Sequence, residues 1–391
     1  MSTPRRPVAA IAGLGFSELS RKPIGTSREL AADAVRAAIA DAGLGTAAID
    51  GLLLNRSPSA EPASLPLRLR EDLGLGELRL LCCMEAEGSS AVQMVQYAAL
   101  AVNAGMASAV ACVFSDARIG AEKSSADAYA RPMSLTGIDG WEARYGLFGA
   151  TGPYALAARR YMAERGLGEE HLGAVAISNR KWAAGNPRAF LRTPLDMEQY
   201  LASRWVVEPL RMLDCAYPVN GAVAVVVTSA ARAADTPKPP VYIHGMGQGH
   251  AARTGLAGDS GIGAERAGAE AYRMAGIAPH DVQSCQFYDA FSYSVLQMLE
   301  EYGVCEVGAA GEFVAGGGIA PGGEMPVNTG GGQLSGYYLQ GMTPLSEAVI
   351  QARGEGGARQ VAARDLILVG GVGGVMDYHA ALVLSPHEAL A

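Results

Sequence analysis

Apolar positions in this chain come in short continuous runs, separated by alanine-rich stretches with helical spacing. The first run, "VAAIAGLGFSE" (8–18), reads as a strand broken by glycines. After it comes "ELAADAVRAAIADAGLG", a helix closed by a Gly-Leu step, and then a short buried strand over 51–54. "VYIHGMGQG" (241–249) repeats the first pattern 233 residues later, counted from residue 8 to residue 241. "GAERAGAEAYRMAGIAPHDVQSCQFYD" repeats the second, with a Gly-Ile stop and a strand over 284–287. At the same offset Gly43 matches Gly276 and Ile49 matches Val282. One offset shared by successive elements marks an internal duplication.

Each half continues in the same order. A small-residue helix is predicted over 88–105 and a strand over 109–116; in the second half a helix over 341–354 is followed by a strand over 365–371. Runs at 222–229 and 379–385 close the halves as hairpin strands. Strands that are apolar throughout must be covered on both faces. The pattern therefore predicts an α/β chain of two βαβαβ halves. The first half takes 1–233, with a long insertion at 117–215; "ADTPKPP" (234–240) is the linker, and the second half takes 241–391.

Composition narrows the function. The chain has 391 residues, 49% of them hydrophobic and 18% charged, with 50 glycines, which suits close packing of helices on sheets and not disorder. Its net charge is −8 and no basic cluster follows Arg5-Arg6, which argues against nucleic acid and anionic membrane surfaces. No apolar run reaches the roughly 18 residues of a membrane span. The N-terminal apolar segment reads as a first strand, not a signal peptide. Cys82, Cys83, Cys112, Cys215, Cys285 and Cys305 are scattered, without Cys-x-x-Cys spacing, and the histidines show no metal spacing. A reducing, cytoplasmic compartment is expected.

A duplicated α/β chain with a long insertion and glycine-rich C-terminal loops resembles the thiolase superfamily, above all its sterol-carrier type. The resemblance covers nearly the whole chain. It rests on "NRKWAAGNPRA" (179–189), "SRWVVEPLRMLDCAYPVNGAVAVVV" (203–227), "YDAF" (288–291), "NTGGGQLSGYYLQG" (328–341) and "GGVGGVMDYHAALVL" (370–384). It implies a thiolase fold of five layers, αβαβα, a dimer through the first-half sheet, and an acyl-CoA ligand.

Thiolase chemistry itself is missing. A thiolase needs a nucleophilic cysteine, a histidine to activate it and a second acid/base. The nucleophile position, three residues before Gly88, holds Glu85. Tyr338 stands for the histidine of the last Ser-x-Gly-His-Pro loop, and Gly371 for the second cysteine. Tyr288 stands where sterol-carrier thiolases have a histidine. This set resembles the thiolase-like aldolases that shorten steroid side chains by retro-aldol cleavage of a β-hydroxyacyl-CoA. That resemblance implies Tyr288 and Tyr338 as the proton-transfer pair and a CoA thioester as substrate, with no permanently bound cofactor. It also implies a small partner with an OB-fold and zinc ribbon.

Phenols suit that reaction. A base takes the β-hydroxyl proton, the carbon–carbon bond breaks to a ketone and a thioester enolate, and an acid protonates the enolate carbon; a thiol is superfluous. A phenol, with an ordinary pKa near 10, is a weak resting base, so one tyrosine must be shifted or must pass its proton on. Gly373 and Gly374 are candidates for the oxyanion hole, or serve a tight turn. Glu85 and Glu87 are a carboxylate pair near the site, or helix N-terminal acids. Asp289 is a further substrate-site candidate, although neighbours at a strand end point apart. Arg180 and Lys181 are candidates for CoA phosphates, or a solvated face. Asn220 reads as a turn residue and His379 as a core-edge histidine. Two rival readings stand: a thiolase using Cys82 or Cys83 in a shifted register, and a non-catalytic thiolase-like scaffold subunit.

Overall fold

The computed structural model describes residues 6–56, 65–120, 136–147, 149–250 and 263–390. Part of the insertion, including residues 127–135 of its aromatic- and glycine-rich stretch, lies outside the described residues. The strands are β1 (Ala9–Phe16), β2 (Gly51–Asn55), β3 (Leu80–Met84), β4 (Ala109–Asp116), β5 (Trp205–Val207), β6 (Leu210–Arg211), β7 (Gly221–Thr228), β8 (Val241–His250), β9 (Ser284–Phe287), β10 (Ile367–Gly373) and β11 (Tyr378–Ser385). Nine of them form one mixed sheet, in the order β3-β2-β4-β7-β1-β8-β11-β10-β9; β5 and β6 make a separate hairpin. β2 runs parallel to β3 and β4, and β9 parallel to β10; the other neighbours are antiparallel. The halves join where Ala9–Ile11 of β1 pairs with Val241–Ile243 of β8.

Packing turns this ladder into five layers. The Ser90–Asn103 and Met342–Arg353 helices share one core with inward residues of both halves, such as Val223, Val225, Val227, Ile367 and Leu382. On the opposite face of the first-half strands, Ala222, Ala224 and Val226 pack under the Ser27–Asp41 helix. The second-half strands are likewise covered by the Ala264–Ala275 and Ser292–Glu301 helices. Strand alternation thus sends large side chains to one apolar layer and small ones to another, which is why the sequence shows no polar face.

The glycine pairs of the repeat have a packing purpose. Gly13 matches Gly245 and Gly15 matches Gly247, one residue short of the offset that relates the helices. Both strands are bulged at the matching place, Ala12 being skipped in the β1–β7 register and His244 in the β8–β11 register, so the extra residue of the second half falls after the strand glycines. A Cβ on Gly13 or Gly15 would enter the backbone of the Ser27–Asp41 helix, and one on Gly245 or Gly247 the backbone of the Ala264–Ala275 helix. These glycines bring helix and sheet together.

The Met342–Arg353 helix is buried along its whole length, so its polar side chains need partners. Glu347 receives two bonds from Arg359, at 2.9 and 3.0 Å, and a third from Thr329 Oγ1 at 2.9 Å. Thr329 opens the glycine-rich loop, so the ion pair ties that loop to the central layer. Glu347→Ala leaves a buried guanidinium unpaired. A loss of about 3–5 kcal/mol is expected in denaturant unfolding.

Among the described residues no helix is long and apolar enough to cross a membrane, and no group of three or more His, Cys, Asp or Glu side chains could hold a metal ion.

Candidate active site

Tyr288 follows directly on β9, and its N–H donates to the Gly370 carbonyl of β10 at 2.9 Å. The segment after it is gripped by the insertion. Ala216 N–H donates to the Ala290 carbonyl (2.9 Å), and Ser292 Oγ donates to Asp214 Oδ1 (2.5 Å). Asp214 also accepts from Tyr200 Oη (2.8 and 3.0 Å) and from the Arg211 N–H (2.7 Å). Burial pushes Asp214 up to about 6, although these bonds pull the other way.

Tyr338 comes from the loop 328–341, whose shape requires left-handed backbone at Asn328, Gly331 and Gly332 and a single π-turn over Gly332–Gly336. Asp289 holds this turn. Its Oδ1 accepts from the Gln333 N–H (2.8 Å), and its Oδ2 accepts from Asn179 Nδ2 (2.5 Å) and, at 3.4 Å, the Leu334 N–H. Any side chain on Gly332 would strike Asp289 Oδ2. Asn186 Nδ2 donates to the Gly330 carbonyl (2.8 Å), and the Tyr338 N–H donates to the Tyr217 carbonyl (2.9 Å). Tyr288 and Asp289 therefore do point apart: one faces the phenol of Tyr338, the other clamps the loop that carries it. Burial pushes Asp289 up to about 7, opposed by its backbone N–H donors.

These two anchorages bring the phenol oxygens of Tyr288 and Tyr338 to 3.0 Å, with the rings edge to face and their centroids 6.3 Å apart. Tyr288 is buried and Tyr338 half-buried. Burial raises the Tyr288 phenol well above its ordinary value, and the neighbouring Tyr338 adds to the effect. Gly88 makes room for this ring: a Cβ there would overlap Tyr288 Cε2 and Cζ, and the Val372 carbonyl.

Several sequence-derived site residues are placed differently from expectation. Glu85 lies at the exposed end of β3 and pairs with Arg56 at 2.6 Å, both side chains about half exposed. Glu87 is the acid that turns inward, and its Oε2 accepts the Gly374 N–H at 2.9 Å. That N–H is therefore engaged by the protein itself and not held open as an oxyanion donor. Gly373 sits in the β10–β11 ladder opposite Tyr378, with Ala86 so close that no Cβ fits. Arg180 is buried, and its guanidinium donates to Ser335 Oγ (3.0 Å) and the Thr193 carbonyl (3.2 Å). It props the loop instead of facing a phosphate; Lys181 is exposed. Asp289 is fully buried in the clamp and does not front a substrate space. Gly371 presses on Ser89 and Val92, which leaves little room for a cysteine.

Other expectations agree with the geometry. Asn220 ties the loop before β7 to the chain after β4: its Oδ1 accepts the Ile119 N–H (2.9 Å) and its Nδ2 donates to the Ile119 carbonyl (2.7 Å). His379 is buried, with Nε2 3.2 Å from the Met376 carbonyl, and burial lowers it to about 3, so it stays neutral. Cys82 and Cys83 lie on β3, and the Cys83 thiol is pushed up by burial and by Cys82, away from the thiolate form. A groove of about 510 Å³ between Phe16, Arg188, Arg353 and Arg359 is lined by neither tyrosine. Glu87 turns inward, and Asn179 and Asn186 hold the Tyr338 loop although they were not among the sequence-derived candidates. The recurrence of asparagine within "SNRKWAAGN" was a signal that could have marked the last two.

Five layers and a phenol pair on two glycine-shaped segments define a thiolase-fold protein. The model of the "Thiolase C-terminal domain-like" family matches residues 259–386. A steroid side-chain-cleaving aldolase of Thermomonospora curvata is 38% identical over 362 residues, 88% of this chain and 90% of that protein. The 17-hydroxy-3-oxo-4-pregnene-20-carboxyl-CoA lyase of Mycobacterium tuberculosis is 37% identical over 88% of this chain and 92% of that protein. The solved Ltp2-ChsH2(DUF35) aldolase superposes with a TM-score of 0.87 at 35% identity, covering 97% of this chain and 98% of that one. The chain belongs to the thiolase superfamily, and within it to the family of these side-chain-cleaving aldolases.

Proposed function

We propose that this protein is a carbon–carbon lyase that cleaves a β-hydroxyacyl-CoA by a retro-aldol step, releasing a ketone and a short acyl-CoA. The observation that carries the reading is the Tyr288–Tyr338 pair at 3.0 Å, on segments where thiolases carry histidines. Tyr338, the less buried phenol, takes the substrate hydroxyl proton while handing its own to Tyr288, which gives up its proton as it receives this one. Tyr288, whose burial favours the protonated form, is the acid that protonates the enolate carbon. The substrate class is a steroid side-chain CoA thioester, by analogy with the named relatives. The same analogy supports a complex with a partner protein, since a related aldolase was solved with ChsH2(DUF35); a homodimer and an OB-fold in that partner are what the thiolase resemblance implies.

The test uses protein co-expressed with an OB-fold partner and a panel of β-hydroxyacyl- and β-ketoacyl-CoA thioesters, with products followed by mass spectrometry. Cleavage of a hydroxyacyl-CoA without added CoA is expected. Cleavage of a ketoacyl-CoA alone, and only with free CoA, would restore the thiolase reading; no turnover of either would favour the scaffold. In the same assay the Cys82→Ser/Cys83→Ser variant should keep its rate within about twofold, since a retro-aldol step forms no thioester with the protein.

A further inference from the structure

A pair of neutral phenols has no place to put an extra proton. The hydroxyl proton leaves the substrate as the carbon–carbon bond breaks, yet the enolate carbon is protonated only afterwards, so an acceptor must hold that proton in between. Asp289 is poorly placed, because it points away from the Tyr288 phenol into the loop clamp, toward Gln333, Leu334 and Asn179.

Glu87 is differently placed. Its neighbour Gly88 lies against the hydroxyl-bearing carbon of the Tyr288 ring, and its other neighbour, Ala86, lies against Gly373. Its backbone is held in the left-handed region, φ 47°, which a non-glycine residue adopts at a cost of about 1–3 kcal/mol. That conformation directs the carboxylate inward, onto the Gly374 N–H. The Tyr288 phenol at the end of β9 and the Tyr154 phenol of the Thr151–Arg165 helix are both close enough to feel its charge. Asp377, in the β10–β11 turn, bears on Tyr154. Glu85, on its own segment, is turned out to Arg56.

We propose that Glu87 is the proton acceptor of the site, reached through Tyr288. This rests on the lyase reading. In the first step the substrate hydroxyl proton moves to Tyr338, the Tyr338 proton to Tyr288, and the Tyr288 proton to Glu87, directly or through one water. The oxygen's electron pair forms the ketone C=O, and the broken carbon–carbon bond leaves its electrons as the enolate. In the second step Glu87 returns the proton through Tyr288 to the enolate carbon, and every protein group regains its starting form.

The variant Glu87→Gln tests this, because its amide oxygen still accepts the Gly374 N–H while its basicity is gone. With the co-expressed complex and a β-hydroxyacyl-CoA, kcat should fall by at least about 100-fold. KM and affinity for the short acyl-CoA product should stay near wild type. The acid limb of the wild-type kcat/KM–pH profile should disappear. Glu87→Asp, which keeps a carboxylate, should recover part of the rate. A Glu87→Gln variant with wild-type rate and an unchanged acid limb overturns the role of Glu87 and leaves the lyase intact. So does an equal loss in Glu87→Gln and Glu87→Asp with weakened product binding, which would show a structural role only. Wild-type protein that cleaves no hydroxyacyl-CoA overturns the lyase reading, and the acceptor with it.

Discussion

Tyr338→Phe should lower kcat for hydroxyacyl-CoA cleavage by roughly 10²–10⁴-fold with KM little changed. The substitution removes one oxygen and leaves the ring, so the edge-to-face contact with Tyr288 survives. The backbone anchor from the Tyr338 N–H to the Tyr217 carbonyl is also untouched. What is lost is the atom 3.0 Å from Tyr288 Oη, and with it the path for a proton between the two phenols. Tyr288→Phe should cost a similar factor, and the double variant little more than either single one, because groups that pass one proton act as a unit. Steady-state kinetics of the three variants, with binding of the acyl-CoA product as the control for folding, measures this. A Tyr338→Phe enzyme with its cleavage rate intact would remove the tyrosine pair from the mechanism.

Asp289→Ala should cost stability and activity together. The carboxylate satisfies the Gln333 and Leu334 N–H groups and Asn179 Nδ2, all in a fully buried setting. Truncation strands these donors. Unpaired buried groups cost about 1–3 kcal/mol each, so a loss on the order of 3–5 kcal/mol is expected in urea unfolding. The same turn sets the position of Tyr338, so kcat should drop even where the protein remains folded. The pH dependence has a definite sign. Burial lifts the folded-state value from 3.8 to about 7, so the native protein holds a proton that the unfolded chain has already released. This contribution is therefore most favourable below about pH 4 and is lost as pH rises towards 7. Asp289→Asn cannot titrate, and its unfolding free energy should lack that downward slope between pH 4 and 7.

Much of this was legible in the chain. The periodic runs placed the strands β2, β4, β9 and β11 and the two central helices to within a residue or two, because fully covered strands and buried helices have no polar face to blur their edges. The duplication was legible too, with Gly43 matched to Gly276 and Ile49 to Val282. The match of Gly13 and Gly15 to Gly245 and Gly247 was not, since it runs one residue short of that offset and the shared bulge at Ala12 and His244 shows only when strands are registered. Tyr288 and Tyr338 stood out because they occupy motif positions, and motif position depends on local spacing.

Side-chain direction was a different matter. Glu85 and Glu87 are two residues apart and chemically identical; a left-handed backbone at Glu87 and an arginine 29 residues upstream of Glu85 send one to the phenols and the other to solvent. Arg180 looked like a surface cation, but a serine 155 residues away buries it. Gly374 had the mobility of an oxyanion donor, yet its N–H belongs to a carboxylate 287 residues before it. Sequence by itself determined the α/β class and the repeat, which follow from local periodicity, and its motifs carried the thiolase resemblance that implied five layers and the two phenols. Only the tertiary structure decided which polar groups are spent on holding the loop and which are left to move protons, because hydrogen bonds between distant segments leave no trace in local pattern.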